Sequence, residues 1–310
     1  MIGVQLYRWQ GAVRNFGDEL NTVLWPRLLP NFFDDDPDEL FLGIGSVLDA
    51  RHDTAAVKVV AGAGYGGYQA APVLDASWIV HWVRGPRTAH LLGLTETDGL
   101  GDPAMLLTGP DNNGTGSIGY MPHFESLARG AWAAAAAAAG VVLIDPRDDT
   151  DGILAAIGNC RVLLSEAMHG VIVADAMRVP WIALRPLARV HRAKWYDWAD
   201  ALGLQVHFHP LAASSLSERL HASPLAASHH GRRLLDRAGP VLAGAGQRRF
   251  IEQAAQSLAA AAAAPPQLSA PAALDRCRTR MLERLEILRR NPRLQGASVL
   301  RPRGNSAYHD

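Results

Sequence analysis

The sequence has few cysteines and no hydrophobic run long enough to cross a membrane. Its two cysteines, Cys160 and Cys277, are far apart in a chain of 310 residues, which excludes a disulfide-rich scaffold and favours a reducing compartment. The longest apolar run, residues 131–144, is shorter than the roughly 18 residues that a membrane-spanning helix needs. The segment MIGVQLYRWQ has neither the basic n-region nor the apolar h-region of a signal peptide. We therefore expect a cytoplasmic protein.

The spacings that mark common metal and catalytic sites are also missing. The twelve histidines are scattered, and no HExxH, CxxC, GxSxG or Walker A motif occurs. We therefore expect no bound metal and no cofactor. The basic residues near the carboxyl terminus lack interleaved aromatic side chains, which argues against nucleic acid binding.

A net charge of zero hides an uneven distribution of charge. Residues 1–215 contain 15 basic and 23 acidic residues, whereas residues 216–310 contain 15 basic and 7 acidic residues. Only two of the 30 basic residues are lysines, Lys58 and Lys194. Together with 48% hydrophobic residues and ordinary charge content, the length predicts about two folded domains, with a basic tail on an acidic body.

Short β-branched runs alternate with longer helical stretches, a pattern typical of an α/β protein with parallel sheets. We predict strands near residues 3–7, 40–44, 57–61, 78–83, 141–144, 161–164, 181–184 and 205–208. We predict helices at residues 18–29, 86–92, 125–139, 151–157, 168–177 and 192–202. A segment rich in Gly, Pro and Asn, residues 107–117, indicates a linker between two halves.

The pattern predicts three parts. Residues 1–110 and 118–215 form two Rossmann-like domains, with a ligand cleft between the carboxyl ends of their strands. Residues 216–310 form an Ala- and Arg-rich tail, with a loose segment at 259–271 and a helix at 272–290. One face of that helix is apolar by its spacing of three and four residues: Leu274, Cys277, Met281, Leu285 and Leu288.

Two kinds of segment near the first strands are candidates for ligand binding. In RNFGDELN, Gly17 permits close backbone approach, and Asp18 is either a catalytic carboxylate or a helix-favouring first-turn residue beside the capping Asn15. The loops GIGS (43–46) and AGAGYGG (61–67) each follow a strand, so their amides can face a ligand or simply make tight turns at a cleft edge.

The segment SEAMHGVIVADAMRVPWIAL (165–184) places His169 and Gly170 at the start of a helix, directly after a strand and Ser165. A histidine there lies at a cleft, although a packed structural histidine fits the same pattern. Trp195 and Trp198, in KWYDWAD, are compatible with a sugar-stacking surface or with the core.

These segments together resemble the polysaccharide pyruvyltransferase family, and most of all the ketal pyruvyltransferases of bacterial exopolysaccharides such as succinoglycan. The resemblance covers about two-thirds of the chain. The matching pieces are NFGDELN (15–21), FLGIGSVL (41–48), VRGPRTAHLLG (83–93), GDPAMLL (101–107), GYMPHFES (119–126) and SEAMHGVIVADAMRVPWIAL (165–184).

The resemblance implies a glycosyltransferase-B-like fold, phosphoenolpyruvate as donor and a lipid-linked oligosaccharide as acceptor. Many relatives have an Arg two residues before the His of the HG motif, and it is thought to hold the donor. Ala167 occupies that position here, so another cation must hold the donor's anionic groups. The candidate replacements are Arg84, Arg87, Arg185, Arg192 and Lys194. The other expected donor-binding residues are Asn15, Gly17, Gly45, Ser46, His123, Ser165 and Gly170.

Ketal formation from phosphoenolpyruvate needs an acid that protonates C3 and a base that accepts the proton of the attacking sugar hydroxyl. Each such group contributes about 10²–10⁴-fold when it is well placed. We expect His169 to be the general acid or the phosphate-side donor. We expect Asp18 to be the base, with Glu166 as the second choice. His123 is either a donor-binding residue or part of the packing at the hinge.

Two other functions remain open at this point. One is a sugar-nucleotide glycosyltransferase of the same fold, in which Glu166 would bind the ribose. The other is a non-catalytic assembly subunit, which the missing Arg at Ala167 and the long basic tail suggest. The helix at 272–290 is compatible with packing on the body, with a dimer contact or with peripheral contact to the inner face of an anionic membrane.

Overall fold

The computed structural model describes residues 4–109, 114–228, 231, 233–235, 237 and 246–290. The first residue of the predicted strand 3–7, the middle of the predicted linker and several segments of the predicted tail lie outside these described residues. Two parallel β-sheets with helices packed around them confirm the predicted α/β class. Among the described residues, no helix is both long enough and apolar enough to cross a bilayer.

The first sheet has four parallel strands in the order β1-β2-β3-β4. They are β1 (Gln5–Tyr7), β2 (Glu39–Leu42), β3 (Val57–Ala61) and β4 (Trp78–Trp82). Helix α1 (Phe16–Leu28) follows β1, and helix α2 (Pro86–Leu91) follows β4. Helix α1 begins two residues earlier than predicted, with Asn15 as its extended N-cap residue.

The second sheet has five parallel strands in the order β6-β5-β7-β8-β9. They are β5 (Ser117–Met121), β6 (Val142–Leu143), β7 (Cys160–Ser165), β8 (Trp181–Leu184) and β9 (Phe208–His209). Strand β5 is absent from the strands predicted from the sequence, because glycine disfavours strands. Gly119 is nevertheless required there, since a Cβ atom on it would lie 2.5 Å from the Cys160 sulfur of the neighbouring strand.

The predicted helix at 125–139 is wrong, because the structure contains two helices there. A Cβ atom on Gly130, where the chain turns between them, would clash with the Ser214 hydroxyl, so this glycine permits the close approach. The helices around the second sheet are α3 (Phe124–Arg129), α4 (Trp132–Ala139), α5 (Thr150–Gly158), α6 (Met168–Ala176), α7 (Ala193–Ala201) and α8 (Leu216–His221).

Two long helices of the tail pack on the rest of the chain. Helix α9 (Gln247–Ala262) extends into the segment predicted to be loose, as its alanines favour, and packs against α4. Helix α10 (Pro271–Arg290) buries the whole predicted apolar face in the main hydrophobic core. Arg278 of α10 donates to the carbonyl oxygens of Met105 and Ala176, at 2.6 and 2.7 Å. The helix therefore joins the two halves of the chain.

Candidate active site

A cavity of about 410 Å³ opens where loops from both halves meet. Half of the predicted site residues line it: Asn15, Asp18, Gly45, Ser46, His123, His169 and Lys194. Because the carboxyl ends of parallel strands are where open α/β sheets bind ligands, this is the expected place for a substrate. The lining also includes residues that the sequence analysis did not single out, among them Trp9, Arg51, Tyr68, Glu125 and His191.

His169 lies at the start of α6 and contacts an aspartate from the other half of the chain. Its Nε2 atom is 3.3 Å from Oδ2 of Asp102, which is fully buried. The other carboxylate oxygen of Asp102 accepts a hydrogen bond of 3.0 Å from the amide of Ala104, which fixes its orientation. The buried carboxylate therefore orients the imidazole ring of His169, which lines the cavity.

Gly17 lies directly beside the imidazole ring of His169. A Cβ atom on Gly17 would clash with Nδ1 of that ring, so only glycine allows α1 to approach this closely. Gly17 does not line the cavity, but it determines where the His169 ring can lie.

Asp18 is partly buried and accepts a hydrogen bond of 2.7 Å from the side-chain amide of Asn15. Burial raises the pKa of Asp18, while the Asn15 hydrogen bond and the charges of His169 and Lys194 oppose that rise. The carboxyl group is therefore able to exchange a proton closer to neutral pH than an exposed aspartate.

Asn21 attaches α1 to the GIGS loop. Its side-chain oxygen accepts from the amide of Ile44 at 2.8 Å, and its nitrogen donates to the Ile44 carbonyl at 2.9 Å. The same side chain accepts from the Trp25 indole at 3.0 Å. This fully buried amide holds Asp18 next to Gly45. Asn21 is not among the predicted site residues, although it ends the NFGDELN motif.

A second cluster in the cavity contains two histidines and a glutamate. The rings of His123 and His191 stack with their centroids 4.0 Å apart. His191 contacts Glu125 through Nε2 at 3.3 Å and the Tyr68 hydroxyl through Nδ1 at 3.1 Å. Burial lowers the pKa of both histidines. Burial opposes ionisation of Glu125, but His191, His123 and Arg129 outweigh it and lower the pKa of Glu125.

Glu166 is fully buried and does not line the cavity. Its carboxylate accepts hydrogen bonds from the amide of His123 at 3.1 Å, the hydroxyl of Ser126 at 3.0 Å and the amide of Leu187 at 2.8 Å. Burial raises its pKa. Its contacts hold the His123 loop in place.

Ser165 and Gly170 also lie outside the cavity lining, below the start of α6. The Ser165 hydroxyl accepts from the Ala167 amide at 3.1 Å and donates to the Ala167 carbonyl at 2.8 Å. A Cβ atom on Gly170 would lie 2.7 Å from the Ser165 oxygen and 2.8 Å from the Met121 sulfur. These two residues shape the turn that carries His169.

Of the five cations proposed to replace the missing arginine, only Lys194 lines the cavity. No carboxylate of the described residues forms an ion pair with it. Arg185 is exposed, and Arg192 donates to the Pro186 carbonyl at 2.9 Å. Arg87 pairs with Asp200 on the surface at 2.6 Å. The lining also contains Arg51, but Asp49 binds its guanidinium on two atoms.

Arg84 connects the two halves of the chain instead of facing the cavity. Its fully buried guanidinium donates to Asp197 of α7 at 3.0 Å, to the Ser46 hydroxyl at 2.8 Å and to the Tyr65 carbonyl at 2.7 Å. Asp197 in turn accepts from the Thr88 amide at 2.9 Å and the Thr88 hydroxyl at 2.6 Å. The Arg84–Asp197 pair holds Ser46 at the cavity edge.

Replacing Arg84 with alanine is expected to lower the free energy of unfolding by about 3–5 kcal/mol, because it leaves the buried Asp197 carboxylate without its counter-charge. Arg87→Ala provides a matched control, since the Arg87–Asp200 pair also joins the two halves of the chain but is exposed. The Arg87→Ala substitution should lower the free energy of unfolding by less than about 1 kcal/mol. Urea denaturation of the two variants measures the difference. Equal losses would contradict the assigned role of Arg84.

Aromatic side chains form part of the cavity rim. Trp9 is 47% exposed and Tyr68 is 40% exposed, and both line the cavity. The guanidinium of Arg51 lies 4.5 Å from the centre of the Trp9 ring. Trp195 and Trp198, by contrast, are fully buried and belong to the core. They therefore do not form a sugar-stacking surface.

Comparison with known proteins places the chain in a family. The family model for polysaccharide pyruvyl transferase matches residues 75–186, which include all of β4 and the His169 segment. The chain is 37% identical over 221 residues to the succinoglycan biosynthesis protein ExoV of Rhizobium meliloti (strain 1021), an alignment that covers 69% of this chain and 70% of that protein. No solved structure matches the chain. The chain therefore belongs to the polysaccharide pyruvyl transferase family and is a transferase.

Proposed function

We propose that this protein transfers pyruvate from phosphoenolpyruvate to a sugar of an exopolysaccharide repeat unit, forming a cyclic ketal and releasing phosphate. The observation that carries the proposal is the convergence of three groups on one cavity: His169 held by Asp102, the carboxyl group of Asp18 and the ammonium group of Lys194. The family of the chain and the exopolysaccharide named in its relative support the same substrate class.

The proposed chemistry assigns one proton-transfer step to each half of the chain. His169 donates a proton to C3 of the donor, which makes C2 electrophilic, and a sugar hydroxyl attacks C2. Asp18 accepts the proton of that hydroxyl. A second hydroxyl of the same sugar then displaces phosphate from C2 and closes the ketal ring. Its proton returns to His169, and Asp18 passes the first proton to the departing phosphate, so both groups regain their starting form. Asp18 is preferred to Glu166 as the base because Glu166 is enclosed by three protein donors.

Lys194 is proposed to hold an anionic group of phosphoenolpyruvate in place of the arginine that relatives have at the position of Ala167. Lysine binds phosphate as a point charge, so it does not need the planar geometry of an arginine. Gly45, Ser46, Asn15 and His123 line the same cavity and are proposed to complete the donor site.

Lys194→Ala is expected to raise the KM for phosphoenolpyruvate by about 10- to 100-fold, since a charge-assisted hydrogen bond contributes about 1.5–3 kcal/mol. The KM for the acceptor should change little. Arg185→Ala is the matched control, because Arg185 is an exposed cation outside the cavity. Steady-state kinetics with each substrate varied in turn gives both constants. An unchanged donor KM in the Lys194 variant would remove Lys194 from the donor site.

The acceptor sugar is proposed to contact Trp9 at the cavity rim, where an apolar ring face is partly exposed. Trp9→Ala is expected to raise the acceptor KM by about 3- to 10-fold, because the aromatic contact is lost. The donor KM should stay the same, and Trp9→Phe should retain most of the affinity. Tyr196→Ala removes a similarly exposed ring outside the cavity and serves as the control. Equal effects of the two alanine variants would argue against a specific sugar contact.

The test of the proposed function is phosphate release from phosphoenolpyruvate against a panel of lipid-linked and nitrophenyl sugars, with the product mass determined. A product heavier than the acceptor by one ketal-linked pyruvate supports the proposal. A glycosylated product formed from a nucleotide sugar would instead establish a glycosyltransferase. Acceptor binding without any release of phosphate would indicate an assembly subunit.

We also propose a two-domain, glycosyltransferase-B-like arrangement, with domains at residues 1–110 and 118–215 and a basic tail at 216–310. The two parallel sheets and the cavity between their loops support it.

We further propose that the protein acts at the inner face of the membrane, where a lipid-linked acceptor is found. Since the apolar face of α10 is buried in the core, a lipid contact of the tail would use exposed arginines such as Arg276 and Arg280.

A further inference from the structure

The second cluster in the cavity has the composition of a metal site. His123, Glu125 and His191 offer one ligand atom each, and these three atoms lie within 4.8 Å of one another. His123 and Glu125 are on the loop and first turn after β5, while His191 ends a short 3-10 helix, Arg189–His191. Glu125 and His191 are 66 positions apart in the chain, which explains why no metal motif is visible in the sequence.

Contacts around the cluster support the ligand side chains, as outer partners do in metal sites. The Tyr68 hydroxyl lies 3.1 Å from Nδ1 of His191, which leaves Nε2 of that ring for an ion. The buried Glu166 carboxylate accepts from the His123 amide at 3.1 Å and so fixes the loop. Nδ1 of His123 accepts a long hydrogen bond of 3.4 Å from the amide of Glu125.

We propose that His123, Glu125 and His191 bind a divalent transition-metal ion, such as Mn²⁺, Co²⁺ or Zn²⁺, at the wall of the cavity. Two imidazoles and one carboxylate suit these ions, whereas Mg²⁺ and Ca²⁺ prefer oxygen ligands throughout. Three protein ligands leave coordination positions open, and the cavity gives a small ligand access to them. This assignment departs from the expectation of no metal that motif spacing alone produced.

The neighbouring charges indicate a site of moderate affinity. Binding replaces the 3.3 Å contact between His191 Nε2 and Glu125 by bonds from both groups to the ion. Arg129 donates to the same carboxylate at 3.2 Å and competes with the ion for it. Lys194 adds positive charge in the same cavity. We therefore expect exchangeable binding and not a permanently held ion.

The role of the ion rests on the proposed function. An ion at this wall would bind an oxygen of the anionic donor or of the acceptor hydroxyl pair and so help to orient it for reaction. Binding of the ion itself does not depend on that role, so it can be measured without any substrate.

The test is titration of chelator-treated, full-length protein with Co²⁺, followed by visible absorption, and with Zn²⁺ in a calorimeter. We expect one specific ion per chain and a loss of affinity of about 10-fold or more in His191→Ala and Glu125→Gln. His123→Asn keeps a capping side chain at the start of α3 and tests the third ligand. His207→Ala, which removes an exposed histidine elsewhere, is the matched control and should bind normally.

Circular dichroism of each variant distinguishes a lost ligand from a lost fold. If the wild type binds no more Co²⁺ or Zn²⁺ than the His191 and Glu125 variants do, the metal site is overturned. Phosphate release by the chelator-treated protein would then still support the proposed function. Stoichiometric metal binding without phosphate release from any acceptor would retain the site and count against the function.

Discussion

Replacing His169 with alanine is expected to lower kcat for phosphate release from phosphoenolpyruvate by about 10²–10⁴-fold, the usual contribution of a well-placed general acid. The physical reason is that His169 has one nitrogen held 3.3 Å from the buried Asp102 carboxylate and its ring exposed to the cavity. Phosphate release measured at saturating donor and acceptor gives kcat directly. The KM for the donor should change much less than kcat, because the substitution removes an interaction that stabilises the transition state and not the bound donor.

Two other substitutions test whether the placement of the His169 ring matters. Asp102→Asn retains the shape of the side chain but removes the negative charge beside Nε2 of His169, so it should lower kcat. Gly17→Ala places a methyl group against the ring and should lower kcat without removing any titratable group. Near-normal turnover in His169→Ala would refute the assignment. Normal turnover in Gly17→Ala would show that the ring position is not critical.

The groups to which catalytic roles are proposed come from both halves of the chain, so the fit between the halves determines the geometry of the cavity. Asp18 and Asp102 belong to the first half, whereas His169 and Lys194 belong to the second. The Arg84–Asp197 pair lies between the halves close to the cavity. Helix α10 lies across both halves at another place, through Arg278. A small shift between the halves would separate His169 from Asp102, which makes these structural contacts important for activity.

The sequence was sufficient to predict the α/β class, most strands and the loops that reach the cavity, because those depend on local patterns. It could not predict Asp102 or His191, whose importance depends on contacts with residues far away in the chain. Arg84 shows a related limit. An arginine in a motif fits anion binding and a buried ion pair equally well, and only the fold, which places Asp197 against it, distinguishes the two.

Asp18→Asn is expected to lower kcat by about 10²–10⁴-fold, because the variant has no base to accept the proton of the attacking hydroxyl. The pH profile provides an independent readout. A base works only when it is ionised, so the wild-type rate should rise with pH through the pKa of Asp18. Burial raises that pKa, so the rise should occur at higher pH than for an exposed aspartate. The rise should be absent from the residual activity of Asp18→Asn.

Asn15→Ala distinguishes a catalytic Asp18 from a merely structural one. Asn15 donates a hydrogen bond of 2.7 Å to the Asp18 carboxylate and so favours its ionised form. Without that bond the pKa of Asp18 should rise further, which moves the rising limb of the rate profile to higher pH. At pH values above the limb, the variant should recover most of the wild-type rate, because the base itself is still present. A profile that keeps its shape and falls equally at every pH would mean that Asp18 is not the base, and that the loss reflects a disturbed start of α1.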